Sequence, residues 1–341
     1  MIGVNKRIKA YGEVMMRLEA PDYLKLEQAR TLKVLYSGTG VNVLSALSRF
    51  GHQTSLLTKL PDNSVGDAAI AYIRSLGIST SDIVRGGAYI GMYFLEKGFH
   101  VRSTNVTYSN RKESSFCTSV PEEYDLEATL QDTSMVHFCG IMLSISEQMR
   151  YNALYAAEKA KQLGSFVVFD FNYRPKLWEK SDVQAKACYE KMLGHVDVCF
   201  MTEKDARYIL EMGDRELTDR KQQIEAVIPL VSNRYHIPII AGTMREKDPD
   251  GKHSIQGYMY HDGSFHYSTV YEYKTLERVG TGDAFASGIM HGLISEHAPA
   301  EMVEFAIASC VLAHTTYGDS PICTEAEIWS LVNNTDVEME R

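Results

Sequence analysis

The chain has 341 residues, enough for one large α/β domain or a main domain with a small accessory unit. Its 44 acidic residues outweigh 35 basic ones, and the formal net charge of −9 argues against a nucleic-acid partner. No apolar run is long enough to span a membrane and no secretory leader is evident; the six cysteines (Cys117, Cys139, Cys188, Cys199, Cys310, Cys323) form no close pairs or metal-type spacing, so reduced thiols in a cytoplasmic protein are expected.

Residues 8–18 read as a first strand, interrupted at Gly12, which suggests a bulge or a close backbone approach. The glycine turn Ser37-Gly38-Thr39-Gly40-Val41-Asn42 leads into a helix in which Val43, Leu44, Leu47 and Phe50 recur at helical spacing, closed by Gly51. Residues 53–59 read as a strand, 61–67 as a loop and 68–76 as a helix. This strand–loop–helix rhythm implies a largely parallel sheet. Residues 88–113 break it: 88–96 and 103–108 are two extended segments joined by a polar turn, followed by Tyr108-Ser109-Asn110-Arg111-Lys112. Two strands without a helix between them suggest a small antiparallel flap, either covering an active site or extending a sheet for dimerisation, or both.

The rhythm resumes with a strand at 135–139 and a helix over 147–163. Phe166-Val167-Val168-Phe169-Asp170 is a short buried strand running into Phe171-Asn172-Tyr173-Arg174-Pro175. Open parallel sheets bind ligands beyond the carboxyl ends of their strands, which makes Asp170, Asn172 and Arg174 site candidates by position. Asp170 and Asn172 read equally well as turn residues. Arg174, beside a turn and a proline, is suited to clamp a carboxylate or phosphate. A strand at 196–200 precedes Thr202-Glu203-Lys204-Asp205 and a helix over 206–212. A helix over 224–235, a strand at 237–241 and the segment Gly242-Thr243-Met244-Arg245-Glu246 follow, then an exposed loop at 247–253. Strands at 255–261 and 264–268 flank the turn Asp262-Gly263. Helices are expected over 283–293, 300–312 and 325–332, with a loop at 314–321 and a polar tail at 333–341.

The stretch Arg278-Val279-Gly280-Thr281-Gly282-Asp283-Ala284-Phe285-Ala286-Ser287-Gly288 carries most of the chemistry. Its glycines let a ligand approach the main chain, and the N–H groups opening the next helix favour an anion. Asp283 reads as a helix cap or as a base held beside a phosphate. The chain lacks the strand-linked Gly-x-Gly-x-x-Gly of dinucleotide folds, which argues against an NAD-dependent oxidoreductase, and it lacks the phosphate loop Gly-x4-Gly-Lys-Ser/Thr. Phosphoryl transfer requires in-line placement, donors on the transferred oxygens and a base at the acceptor hydroxyl. Gly280, Gly282 and Asp283 can supply the last two.

With these motifs the chain resembles the ribokinase-like carbohydrate kinases, the phosphofructokinase B family, over residues 8–332. Gly280-Thr281-Gly282-Asp283 matches the family's C-terminal signature; Gly38 with Asn42, and the segment from Asp62 to Asp67, match its N-terminal one. Within the family it is most similar to the 2-keto-3-deoxygluconate kinases, through Gly12-Glu13, Gly91-Met92-Tyr93, Arg111-Lys112, Asp170-Phe171-Asn172-Tyr173-Arg174 and Leu177-Trp178. The resemblance implies a three-layer α/β sandwich with a mostly parallel central sheet and a small β lid. It implies one kinase domain over 1–332, the lid at 88–113 and a tail at 333–341. The implied substrates are ATP and an acidic keto sugar, with Mg2+ and an optional monovalent cation (K+); separately, the flap, whose exposed edge needs cover, predicts a homodimer formed through it. Asp283 would be the base and Gly280, Thr281 and Gly282 the anion hole. The sugar would be held by Gly38, Asn42, Tyr93, Tyr108, Arg111, Asp170, Asn172 and Arg174, with both arginines facing its carboxylate. The nucleotide side would draw on Thr202, Asp205, Thr243, Arg245 and Gly282, with Asp205 an indirect metal contact. The sequence departs from the family at Ser37, where many relatives have glycine. It departs again at Thr202, which replaces an asparagine, at Thr243-Met244-Arg245-Glu246, which replaces a glycine turn, and at Tyr108, displaced from Arg111. Rival readings are a kinase for fructose, for another keto-deoxy acid or for a nucleoside, and a non-catalytic sugar-binding relative.

Overall fold

Alternation of apolar residues along the strands decides the layers. Ile8 and Ala10 enter one hydrophobic cluster and Tyr11 the other; Met135 opposes Val136, and Val168 opposes Val167 and Phe169, in the same way. Strands buried on both faces need helices on both sides. The computed structural model describes residues 7–178, 182–214, 216–248 and 250–333. The strands are β1 (Arg7–Tyr11), β2 (Met15–Glu19), β3 (Lys33–Ser37), β4 (Gln53–Leu60), β5 (Ile83–Arg85), β6 (Gly91–Glu96), β7 (Asn105–Ser109), β8 (Thr133–Cys139), β9 (Phe166–Asp170), β10 (Val198–Phe200), β11 (Ile239–Lys247), β12 (His253–His261), β13 (Ser264–Tyr267) and β14 (Tyr271–Tyr273). The α-helices are α1 (Thr39–Arg49), α2 (Ser64–Ser75), α3 (Leu126–Leu130), α4 (Glu147–Gln162), α5 (Asp182–Leu193), α6 (Arg220–Tyr235), α7 (Thr281–Ile294), α8 (Pro299–Ala313) and α9 (Glu325–Val332).

The main sheet runs β13-β12-β11-β10-β9-β8-β1-β4-β5, with β14 also on β12. Pairing is parallel from β5 through β11 and antiparallel beyond it. One apolar layer receives α1, α2, α7, α8 and α9, and the other α3 to α6. The expected α/β sandwich is therefore present. No helix among the described residues is long and apolar enough to cross a membrane.

Several local expectations are corrected. The single strand at 8–18 is two strands in two sheets: β1 lies between β4 and β8, whereas β2 joins a separate four-stranded sheet ordered β3-β2-β6-β7. The break falls just past Tyr11, where the Gly12 N–H still reaches the Leu57 carbonyl at 3.2 Å before the chain turns away. The accessory sheet is thus wider than a hairpin from 88–113 alone, since β2 and β3 precede that segment. A lone two-stranded ribbon is barely stable, and β2, pairing parallel to β6 and antiparallel to β3, gives it a root. The strand expected to stop at Ala241 continues to Lys247, because 243–247 pairs antiparallel with 253–257. Thr243-Met244-Arg245-Glu246 is strand, not a turn after one. In place of a helix over 206–212 there is one wide π-type turn at Asp205–Ile209. Helix α5, not anticipated, buries Ala185, Tyr189, Met192 and Leu193 at helical spacing. The tail expected at 333–341 lies outside the described residues beyond Asn333.

Candidate active site

The parallel strands point their carboxyl ends the same way, so β1, β8, β9 and β10 deliver Gly12, Cys139, Asp170 and Thr202 to one edge of the sheet. Helices α1 and α7 begin there too, and the accessory sheet lies over the opening. Every residue singled out from the sequence as a site candidate lines this one cleft, of about 870 Å³.

At its floor, α7 starts at Thr281 with Gly280 as the residue before it. Gly280 has φ +82°, and a Cβ there would stand 1.8 Å from the Asp319 carbonyl oxygen, so both backbone conformation and space require glycine. Gly282 is exposed to the cleft, with nothing within 4 Å of where its Cβ would be. The main-chain N–H groups of this first turn have no earlier carbonyl to bond and form a donor surface for an anion. The capping reading of Asp283 is overturned. It is the third residue of the helix, makes no cap hydrogen bond, and its Oδ2 accepts instead from Asn42 Nδ2 at 2.7 Å. It is only 6% exposed. Burial is the main reason its pKa is pushed up to about 7; the Asn42 hydrogen bond and the Arg174 charge pull it down, and Asp170 pushes it further up. A carboxylate with a pKa near neutrality can accept a proton from a hydroxyl and remain ionised enough to do so repeatedly.

Gly38 precedes α1 in extended backbone, and a Cβ there would be 2.1 Å from the Glu13 carbonyl oxygen. This close contact brings the start of α1 against the end of β1 and aims Asn42 at Asp283. Ser37, the departure from glycine, shares a hydrogen bond with the Tyr93 hydroxyl at 2.8 Å. Tyr93 also donates to Asp319 Oδ2 at 2.6 Å, and burial pushes its pKa up to about 12. Tyr108 is 43% exposed and lies under the Arg111 guanidinium, 4.9 Å from the ring centroid. Arg111 is differently placed from a bare cation awaiting a carboxylate: its Nε donates to Glu13 Oε2 at 2.8 Å, while its buried Nη1 has no protein partner. Across the cleft Arg174 is exposed and donates from Nη1 to the Tyr173 carbonyl at 3.2 Å. Its charge reaches Asp170, Asp205 and Asp283, each of whose carboxyls it pulls down. Asp170 nonetheless rises to about 6, chiefly through burial, with Asp205 adding to the rise. Asn172, at φ +41°, donates to Asp170 Oδ2 at 3.1 Å and leaves its own buried Oδ1 unpartnered.

Beyond β10, Asp205 Oδ2 accepts from both the N–H and the hydroxyl of Thr202, each at 2.8 Å. Burial raises the Asp205 carboxyl, against those two bonds. Thr243 offers its carbonyl to Arg220 Nη2 at 3.2 Å. Arg245 reaches back from β11 and donates to Thr281 Oγ1 at 2.9 Å, joining β11 to the donor surface of α7.

Sequence reading missed several residues here. Glu13, in the sequence only one residue of the Gly12-Glu13 pair, holds Arg111. Glu203 is 1% exposed, pairs with Arg220 Nε at 2.9 Å and keeps a buried, unpartnered Oε2. Asp319 sits in what read as a plain loop; its carboxylate holds Tyr93 and its carbonyl backs Gly280. The available signal was a Gly-Asp-Ser-Pro sequence in the loop a few residues after the largely buried helix α8.

Comparison with known proteins agrees with this geometry. Residues 5–326 match the profile described as pfkB family carbohydrate kinase. A 2-dehydro-3-deoxygalactonokinase of Haloferax volcanii is 29% identical over 97% of this chain and 98% of its own. A solved structure from Enterococcus faecalis, described provisionally as a 2-keto-3-deoxygluconate kinase, is 37% identical over 98% of both chains, with a TM-score of 0.93. The 2-dehydro-3-deoxygluconokinase of Thermotoga maritima is 30% identical over 96% of this chain and 99% of that one, with a TM-score of 0.90.

Proposed function

This chain belongs to the pfkB family of carbohydrate kinases, and on that premise we propose that it transfers the γ-phosphoryl group of ATP to the primary hydroxyl of 2-keto-3-deoxygluconate, giving the 6-phosphate. The observation that carries the reading is the meeting, in one cleft, of a buried carboxylate at the head of a glycine-opened helix with the exposed guanidinium of Arg174. The first suits a hydroxyl acceptor and an anionic donor. The second suits an acceptor that is itself a carboxylate. The names of the relatives above divide between the gluconate and galactonate forms of one acidic keto sugar, which supports the class; the two solved relatives favour the gluconate form.

Asp283 accepts the proton as the sugar oxygen forms its bond to the γ-phosphorus. The bond from that phosphorus to the β–γ bridging oxygen breaks, and ADP leaves. The N–H groups around Gly280, Thr281 and Gly282 receive the charge on the transferred oxygens. Asn42 fixes the Asp283 carboxylate. Arg174, with Arg111 held by Glu13, anchors the sugar carboxylate, and Tyr93 and Gly38 shape the wall against its carbon chain.

Mg2+ accompanies ATP in this chemistry, where it neutralises charge on the phosphates. Among the described residues no group of three ligating side chains could hold a metal alone. Asp205, whose carboxylate lines the cleft beside Thr202, is the residue that would support the ion there.

We also take the protein to be a homodimer joined through the accessory sheet, where Val34, Val101 and Val106 are exposed. Light scattering would settle this, and a monomer at micromolar concentration would remove it. The deciding assay for the reaction is product-resolved phosphorylation of 2-keto-3-deoxygluconate, its galactonate epimer and fructose. The expected order of turnover is gluconate form, galactonate form, then fructose. Turnover confined to fructose overturns the reading, and none with any sugar favours a non-catalytic binder.

A further inference from the structure

A charge cluster behind the cleft has no part in the reaction as written. Arg17, on β2, is wholly buried at 0% exposure. Its Nη1 donates to Asp319 Oδ1, and its Nη2 donates both to Glu19 Oε2 and to Glu277 Oε2, the latter at 3.1 Å. Lys97 Nζ lies 2.7 Å from Glu19 and 3.8 Å from Glu277. Three carboxylates therefore face two cations in a region largely shielded from water.

The two carboxylates that come from outside the accessory sheet bracket the donor surface of α7. Glu277 Oε1 accepts the N–H of Arg278 at 3.0 Å and of Val279 at 3.5 Å, the two residues before Gly280. Asp319 supplies the carbonyl that Gly280 packs against. Its other carboxylate oxygen takes the Tyr93 hydroxyl, and Tyr93 is the residue paired with Arg17 across β2 and β6. One guanidinium thus ties the root of the accessory sheet to both flanks of the glycine turn. A buried network in which each carboxylate faces a cation favours a single arrangement, even with the Arg17 Nε left unpartnered, whereas removing its central cation leaves carboxylates repelling one another with little water to screen them.

We propose that Arg17 is the positioning residue that sets the Gly280 turn in its anion-binding geometry and locks that turn to the lid. This rests on the kinase reading above. It predicts a loss in the chemical step, because Arg17 lies outside the lining of the cleft.

The test is steady-state kinetics combined with amide hydrogen exchange on the full-length protein. Arg17→Met is expected to lower kcat on the order of 10²-fold while the KM for ATP stays within about threefold, and Arg17→Lys to recover kcat to within about tenfold of the parent. In the ligand-free protein, Arg17→Met is expected to speed exchange across residues 276–282 by at least about tenfold, with the β1, β8 and β9 amides unchanged. Unchanged exchange at 276–282, or acceleration spread evenly over the main sheet, overturns the proposal. So does an undiminished kcat in the folded variant. Should Arg17→Met fail to fold, Glu277→Gln keeps an acceptor for the Arg278 N–H and removes the charge facing Arg17. It is expected to lower kcat by about tenfold and to loosen the same segment, and unaltered values for both overturn the proposal. The exchange measurement needs no substrate, so it decides the role of Arg17 even if the parent phosphorylates no sugar acid and the kinase reading falls.

Discussion

At the end of the cleft that we assign to phosphoryl transfer the working surface is main chain: the first turn of α7, a glycine with φ +82° and one carboxylate fixed by Asn42. At the other end, which we assign to the sugar, it is side chain: Tyr93, Tyr108, Arg111 and Arg174, drawn from the accessory sheet and from the segments after β7 and β9. The first end has little room for change, because a single added carbon at Gly280 would strike the Asp319 carbonyl oxygen at 1.8 Å. The second tolerates change, since its arginines sit on long stems and Arg111 already has Glu13 as a partner. Transfer of a phosphoryl group asks the same of every member of the family, while the acceptor differs, and the construction divides along that line.

Substitutions at the two ends should differ in kind as well as in size. The largest effect is expected from Asp283→Asn, which keeps the shape and removes the base: kcat should fall by roughly 10²–10⁴-fold with sugar binding by calorimetry retained. A loss under tenfold would remove Asp283 from that role. Gly280→Ala should lower kcat on the order of 10²–10³-fold by displacing the donor surface, and KM for the sugar should move little. An equal loss in sugar affinity would show that the two ends are not separable. Arg174→Met should reduce kcat/KM for the acidic sugar by about 10–100-fold and for fructose by less than about threefold. Equal losses on both would sink the assignment of the guanidinium to a carboxylate.

The smallest effects concern pH. With the Asp283 pKa pushed up to about 7, kcat/KM should rise with pH up to about neutrality and level off above it. The stability consequence has the opposite sense to that of a salt-bridged carboxylate. The folded-state pKa is raised, so the native state binds the proton more tightly than the unfolded chain. Stability is then greatest where the group is protonated in both states and declines as pH rises from about 4 to about 7. Asp283→Asn should therefore melt about 2–5 °C above the parent at pH 8, with the gap closing toward pH 4. A variant that melts lower at pH 8 would mean that the buried carboxylate stabilises the fold.

Much of this was legible in the sequence. The strand–loop–helix rhythm and the doubly apolar strands determined the layered fold, because burial on both faces leaves an unmistakable run of aliphatic residues. The glycine turn ahead of Asp283 pointed to an anion, because the requirement is local: φ above zero and free N–H groups belong to residues adjacent in sequence. Tertiary structure decided the rest. Only packing brings Asn42 onto Asp283, some 241 residues away in the chain, and so fixes the orientation of its carboxylate. Only the sheet break after Tyr11 sends β2 into the lid, carries Arg17 to Glu277 and Asp319, and lets Glu13 claim Arg111. Partners so distant in the chain leave no period or spacing to read. Their charges become meaningful once burial has removed the water between them.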